Sequence, residues 1–198
     1  VTIHAHLHRS GDRWPEGAER NLYGLAWDLA SAAPPPAREA VTLVPDTGDA
    51  PRHIVWLVDE SVAAAPFARL IAPSLHGVAH RDFGVAAALG HCSAPAQVAL
   101  RSGVDVRHVG KDSDLRATPS IWGYAKRAGY RTILIDGQTA GAPQNLLLPP
   151  ERALIDDFRS MAGGMDTDLR IARTLNVQMK SPGKSFAFVV LRGVHFQY

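Results

Sequence analysis

The sequence is poor in the features that most readily assign a function. A single cysteine, Cys92, in 198 residues excludes an internal disulfide and leaves the redox compartment open. No apolar stretch approaches the length that spans a bilayer, so these residues contain no membrane-crossing helix. There is no Lys/Arg run and no basic patch interleaved with aromatics. The 21 basic and 19 acidic residues are scattered and leave a net charge of only +2, which argues against nucleic acid as a partner. Internal repeats and low-complexity tracts are missing as well. No initiator Met or signal peptide precedes Val1, and His195-Phe196-Gln197-Tyr198 follows directly on an apolar strand, where an active-site loop would continue. The reading at this point is of part of a longer protein.

What is present is a substantial apolar fraction, 46% of residues, enough for a domain that buries a sizeable core. Residues 1–50 read as a connector. Ala32-Ala33-Pro34-Pro35-Pro36-Ala37-Arg38 is a stiff linker signature, Asp46-Thr47-Gly48-Asp49 is turn chemistry, and Glu19 to Ala30 predicts one short helix with Leu22, Leu25, Ala26 and Leu29 on a face. Residues 51–198 alternate strands and helices. His53 to Val58 is a continuous apolar run, as expected of a strand buried on both faces. A short helix is expected from Ala94 to Arg101. A second runs from an N-cap at Thr118 through Ala128, closed by Gly129, and a third from Asp166 or Thr167 to about Met179. Strands are expected over Arg131–Ile135 and Phe186–Leu191. This alternation points to a mostly parallel central sheet with helices on both faces, a three-layer α/β/α sandwich. In such sheets function gathers at the carboxyl ends of the strands, where Asp59-Glu60, Asp136 and His195 all fall.

The chemistry-bearing stretch is Ser93-Ala94-Pro95-Ala96-Gln97-Val98-Ala99-Leu100-Arg101-Ser102-Gly103. It places a hydroxyl at a helix start, where unpaired backbone N–H groups and the helix dipole favour an anion. A carboxylate at the end of a buried strand, Glu60 with Asp59 beside it, could hold a metal against the same oxygen. Taken singly, each residue has a plainer role: Ser93 as a helix N-cap, Glu60 as a solvated strand-end acid, His195 as a capping or core histidine. Asp136 reads as a strand-to-loop cap outside the site, and Arg192 as an ordinary surface arginine. His4, His6 and His8 alternate and would share one face of a strand, a geometry open to a transition metal, but no carboxylate accompanies them. His76 and His80 read as loop histidines, and Trp14, Trp27, Trp56 and Trp122 as packing residues.

Taken together, the segments resemble the alkaline phosphatase/sulfatase superfamily, and within it the bacterial phosphoethanolamine transferases. Ser93–Gly103 is similar to the superfamily signature of a Cys, Ser or Thr followed two residues later by Pro and ten residues on by Ser/Thr-Gly. Ile54 to Ser61 resembles the transferases' apolar strand ending in Gly-Glu-Ser, Ile121 to Gln138 their following helix–strand unit, and Val189 to Tyr198 their Gly-x-His-x-Pro-Tyr-like loop. The resemblance spans roughly residues 50–198, in the family's order. Three positions depart from the pattern: Asp59 stands where the transferases have Gly, Gln197 where they have Pro, and Val190 where they carry a second histidine.

The resemblance implies an alkaline phosphatase-like fold, incomplete in this chain. It also implies a zinc or other divalent metal held by Glu60 and Ser93, possible aid from Asp59, and His195 at the substrate's anionic group. Ser93 would be the catalytic nucleophile, taking a phosphoethanolamine-type group from a phospholipid donor and passing it to a lipid or glycan hydroxyl. The implied setting is the periplasmic face of the bacterial inner membrane, anchored by segments outside this chain. The alternatives are a sulfatase or phosphodiesterase that hydrolyses its intermediate, or a non-catalytic phosphate-binding relic. Gln97, standing where formylglycine sulfatases carry Arg, speaks against a sulfatase. The family's further Asp-His ligand pair does not occur after residue 191, so these residues alone are expected to bind metal poorly and turn over little.

Overall fold

The computed structural model describes residues 18–46, 48–88, 90, 92–140 and 145–194, with the side chains of 18–21, 23 and 106 aside. Two compact units divide the chain, Val1–Pro35 and Pro36–Tyr198. The described part of the first is one helix, α1 (Ala18–Ser31), on which Leu22, Leu25 and Leu29 are exposed. No described helix is long and apolar enough to cross a membrane.

The second unit is built on a four-stranded, wholly parallel sheet in the order β1-β4-β2-β3, formed by β1 (His53–Val58), β2 (Arg131–Asp136), β3 (Asp157–Ser160) and β4 (Ser185–Val190). The last described strand inserts between the first two, with Val190 opposite both Val58 and Asp136. Alternation along the inner strands sends side chains to two separate cores. Leu134, Phe186, Phe188 and Val190 pack with Trp122, Ala125 and Tyr130 on one side of the sheet. Ile133, Ile135, Ala187 and Val189 pack with Ile171 on the other. Trp122 and Ala125 belong to α3 (Ile121–Arg127) and Ile171 to α5 (Thr167–Gln178), so helices cover both faces, as the sequence predicts. Trp122 anchors the first core, with edge-on rings of Phe186 and Phe188 at 5.6 and 5.8 Å from its centroid.

Several local expectations change in detail. β1 is not buried on both faces: Ile54, Val55, Trp56 and Leu57 are 38–52% exposed, because β1 is an edge strand of the described sheet. The N-cap of α3 is Ser120, whose Oγ accepts from Gly123 N at 3.3 Å; the Thr118 hydroxyl instead donates to Leu115 O. Gly129 does end that region, in the left-handed conformation at φ 79°. Beyond the expected elements lie β3, a single turn α4 (Pro149–Arg152), and irregular helical turns over Ala64–Leu75 that include a π-helical stretch, Phe67–Ile71. Residues 36–50, which the sequence reading assigns to the connector, run along the second unit: the Arg38 guanidinium donates to Leu115 O, Thr118 O and Glu151 Oε2.

Candidate functional site

The parallel pairing of β1 and β4 brings two strand-end loops together. Leu191 N donates to Val58 O at 2.9 Å and Val194 N to Glu60 O at 3.4 Å, so residues 191–194 run beside the Asp59-Glu60 turn. The next residue, Ser61, is held at φ 62°, a left-handed conformation that costs a non-glycine residue about 1 kcal/mol or more. That strain redirects the chain sharply after Glu60 and leaves the Glu60 side chain at the carboxyl edge of the sheet.

Helix α2 (Ser93–Arg101) delivers the hydroxyl. Its N-cap position is Cys92, which makes no side-chain cap bond, and Ser93 is its first residue. The Ser93 hydroxyl therefore does not cap its own helix. It donates to Glu60 Oε1 at 2.7 Å across a sequence separation of 33 residues. Both side chains are half-buried, close enough to solvent for a ligand to reach them. The Ser102-Gly103 end of the motif has a structural explanation. Ser102 pairs with Ser120 in an isolated bridge, and Gly103 passes so near Tyr124 that a Cβ there would collide with the ring. An apolar hollow of about 290 Å³ lies along the Pro95, Val98 and Ala99 face of α2, closed by Val109, Leu115 and Leu146.

Asp59 lies beside the same turn. Burial, and then the neighbouring Asp168 carboxylate, push its carboxyl above the ordinary aspartate range. His195, the expected anion-binding residue, lies outside the described residues, as do His4, His6 and His8. Asp136 is buried and engaged at both oxygens, accepting from Gln138 N at 2.8 Å and Thr139 Oγ1 at 2.5 Å, which is the capping role read from the sequence. The Arg192 guanidinium is tied to Gly164 O at 2.6 Å. His76 and His80 are exposed, and His80 Nδ1 lies 2.8 Å from Val78 O.

The sequence reading missed a second charged cluster, at the other end of α2. Glu151, 1% exposed, accepts from Arg101 Nε at 3.0 Å, Trp122 Nε1 at 3.1 Å and an Arg38 nitrogen at 2.6 Å. Arg101 also donates to Gln97 Oε1 and Asn145 O. Burial lowers the Arg101 pKa and Glu151 pulls it back upward. Nothing in the Pro149-Pro150-Glu151 segment distinguishes this carboxylate from a loop acid. Only the fold assembles the three donors around it.

The donor set does not complete a zinc site. Glu60 and Ser93 offer two oxygens in contact, zinc prefers four ligands, and no group of three or more His, Cys, Asp or Glu side chains among the described residues could hold a metal ion.

No protein-family model matches the chain, and no curated protein sequence does. Two solved structures do. The C-terminal periplasmic domain of EcEptC from Escherichia coli in complex with Zn superposes with a TM-score of 0.60 at 20% identity, over 84% of this chain and 49% of that one. A second solved structure of the C-terminal periplasmic domain of EcEptC gives a TM-score of 0.54 at 23% identity, with the same coverage. The chain has that fold. The likeness agrees with the alkaline phosphatase-like architecture expected from the sequence, and this chain spans about half the length of the structures it matches.

Proposed function

We propose that this chain carries the serine-bearing part of an extracytoplasmic domain that transfers a phosphoethanolamine-type group from a phospholipid to a lipid or glycan hydroxyl. The observation that carries the reading is the Ser93 Oγ–Glu60 Oε1 hydrogen bond at the carboxyl edge of the sheet. It is supported by the EcEptC fold, whose solved examples are periplasmic domains. In the first half-reaction the Ser93 oxygen forms a bond to phosphorus and the bond from phosphorus to the diacylglycerol oxygen breaks. The Ser93 proton passes to Glu60, within general-base reach, and the departing oxygen takes a proton from solvent and leaves as an alcohol. In the second half-reaction the acceptor oxygen bonds to phosphorus and loses its proton to solvent, while the bond from phosphorus to Ser93 Oγ breaks and Oγ takes back the proton held by Glu60. The amide end of α2 lies where the phosphoryl oxygens would gather negative charge, although the dipole of one helix contributes only modestly.

His195 would bind the anionic group of the donor, and a divalent cation would need ligands beyond Glu60, Ser93 and Asp59. The proposed setting is the periplasmic face of the inner membrane, with the membrane anchor outside these residues.

The test is turnover of a phosphodiester donor, with and without added zinc, followed by mass mapping of the phosphorylated residue. A phosphoethanolamine group on Ser93, lost in Ser93→Ala, is the expected result. Product carrying water in place of the acceptor would indicate a phosphodiesterase. Phosphate binding without a covalent adduct in any condition would leave the non-catalytic reading.

A further inference from the structure

Asp168 stands in the first turn of α5, where an aspartate commonly serves its own helix by accepting from exposed N–H groups or complementing the dipole. Here both of its carboxylate oxygens are turned outward to another loop. Oδ1 accepts from Arg192 N at 2.7 Å and Oδ2 from Gly193 N at 3.1 Å. The α5 N-cap residue, Asp166, makes no side-chain cap bond, and the Thr167 hydroxyl donates backward to Gly163 O and Gly164 O. The loop so held is the one pressed against the candidate centre. Gly193 has φ 56°, and a Cβ on it would collide with Glu60 O and stand 2.7 Å from Asp59 Oδ1. Val194 N donates to Glu60 O. Arg192 adds a tie of its own to Gly164 O. A continuous chain of contacts therefore runs from Asp168, through the Arg192 and Gly193 amides, to the backbone of Glu60 and on to Ser93 Oγ.

We infer that Asp168 is a positioning residue for the Ser93–Glu60 pair: its bidentate grip on the Arg192 and Gly193 amides holds the loop that fixes the Glu60 turn. The functional side of this inference rests on the proposed role of Ser93 as nucleophile. Its structural side does not, because the Glu60 turn either depends on the loop or does not. Asparagine at 168 keeps one acceptor oxygen but turns an NH2 donor toward one of the two amides, so the grip is halved and one N–H faces another donor. Alanine at 193 keeps the grip and displaces the turn directly.

The experiment compares the 198-residue chain with Asp168→Asn, Gly193→Ala and Asp166→Asn. The last removes a carboxylate from the same helix end without touching the loop. One readout is amide hydrogen exchange at residues 60–61 and 192–193. The other is the rate at which an organophosphorofluoridate labels Ser93, mapped by mass spectrometry, with thermal melting as the check on folding. Expected are faster exchange at both segments and labelling slowed by about tenfold or more in Asp168→Asn and Gly193→Ala, with Asp166→Asn near wild type. Unchanged exchange at Glu60 and Ser61 in Asp168→Asn would overturn the inference. So would slowing that Asp166→Asn reproduces, or that follows the unfolded fraction. If Ser93 is not labelled even in the wild-type chain, the nucleophile reading fails, and exchange at residues 60–61 alone decides whether Asp168 holds the turn.

Discussion

Helix α2 is held at each end by a glutamate, and the two could hardly be more differently employed. At its last residue, Arg101 meets Glu151, which is enclosed and accepts from three donors on three separate segments. At its first residue, Ser93 meets Glu60, which is half-buried and has one side-chain donor among the described residues. A carboxylate offers about four acceptor positions, so Glu151 has little left to offer a ligand, while Glu60 keeps acceptor capacity on its second oxygen. The first glutamate fixes the helix; the second is set by its own strand-end turn and meets the hydroxyl that the helix delivers. The comparison separates a carboxylate that stabilises from one that is free to react, a distinction residue type alone does not make.

The sharpest way to break the comparison is Glu151→Gln. Two guanidiniums would then share a buried space without a counter-charge, and the expected loss is about 3–5 kcal/mol of unfolding free energy, read from urea denaturation. Trp122→Phe should cost less, about 1–3 kcal/mol in the same measurement. It removes one donor from Glu151 and some packing against Phe186 and Phe188 while leaving both arginines paired. At the other end of the helix Ser93→Ala should change stability by no more than about 1 kcal/mol, yet abolish the covalent phosphoethanolamine adduct seen by mass mapping. A stability loss as large as that of Glu151→Gln would mean that the Ser93–Glu60 bond is a structural clasp.

The smallest effect is expected from a third kind of carboxylate, on the outer strand β3. Asp157 is held below the ordinary aspartate range by its hydrogen bond from Arg159, reinforced by the charges of Arg159 and Arg131. A depressed native pKa means that the unfolded chain binds the proton more readily. The contribution is therefore present above the unfolded aspartate pKa and disappears as pH falls through the lower, native one. Asp157→Asn should lower stability at neutral pH by less than about 1 kcal/mol, and the difference from wild type should vanish in acid titrations monitored by melting temperature. An undiminished difference at low pH would show that packing, not charge, makes that contact.

Much of the second unit is legible in the sequence because its signals are local. Apolar runs bounded by turn residues locate β1, β2 and β4. Gly129 marks the end of α3, and the hydroxyl-x-Pro spacing of Ser93-Ala94-Pro95 marks the start of α2. The candidate site was legible to the extent that Glu60 and Ser93 belong to separate motifs with recognisable surroundings. β1 and β4, in contrast, read alike as six-residue apolar strands, and nothing within either says that one is central and the other an edge. β4 is buried along its whole length because β1 and β2 flank it, while β1 keeps four apolar residues 38–52% exposed. Short β3 escaped detection because Asp157-Phe158-Arg159-Ser160 lacks an apolar run, and its pairing with β2 supplies what its own sequence does not.

The element types, the alternation that makes the sheet parallel, and a serine and a glutamate in recognisable surroundings can all be read from the sequence. These follow from side-chain periodicity, backbone preference and functional-group chemistry, which act within a few residues. Tertiary structure alone decided which strands became neighbours and that the Ser93 hydroxyl turns to Glu60 rather than to its own helix. It also decided that Glu151 gathers Arg38, Arg101 and Trp122, and that Asp168 grips a loop 24 residues away. Each of these joins groups far apart in the chain, and the burial that makes such contacts strong exists only once the sheet and its two helical layers have closed around them.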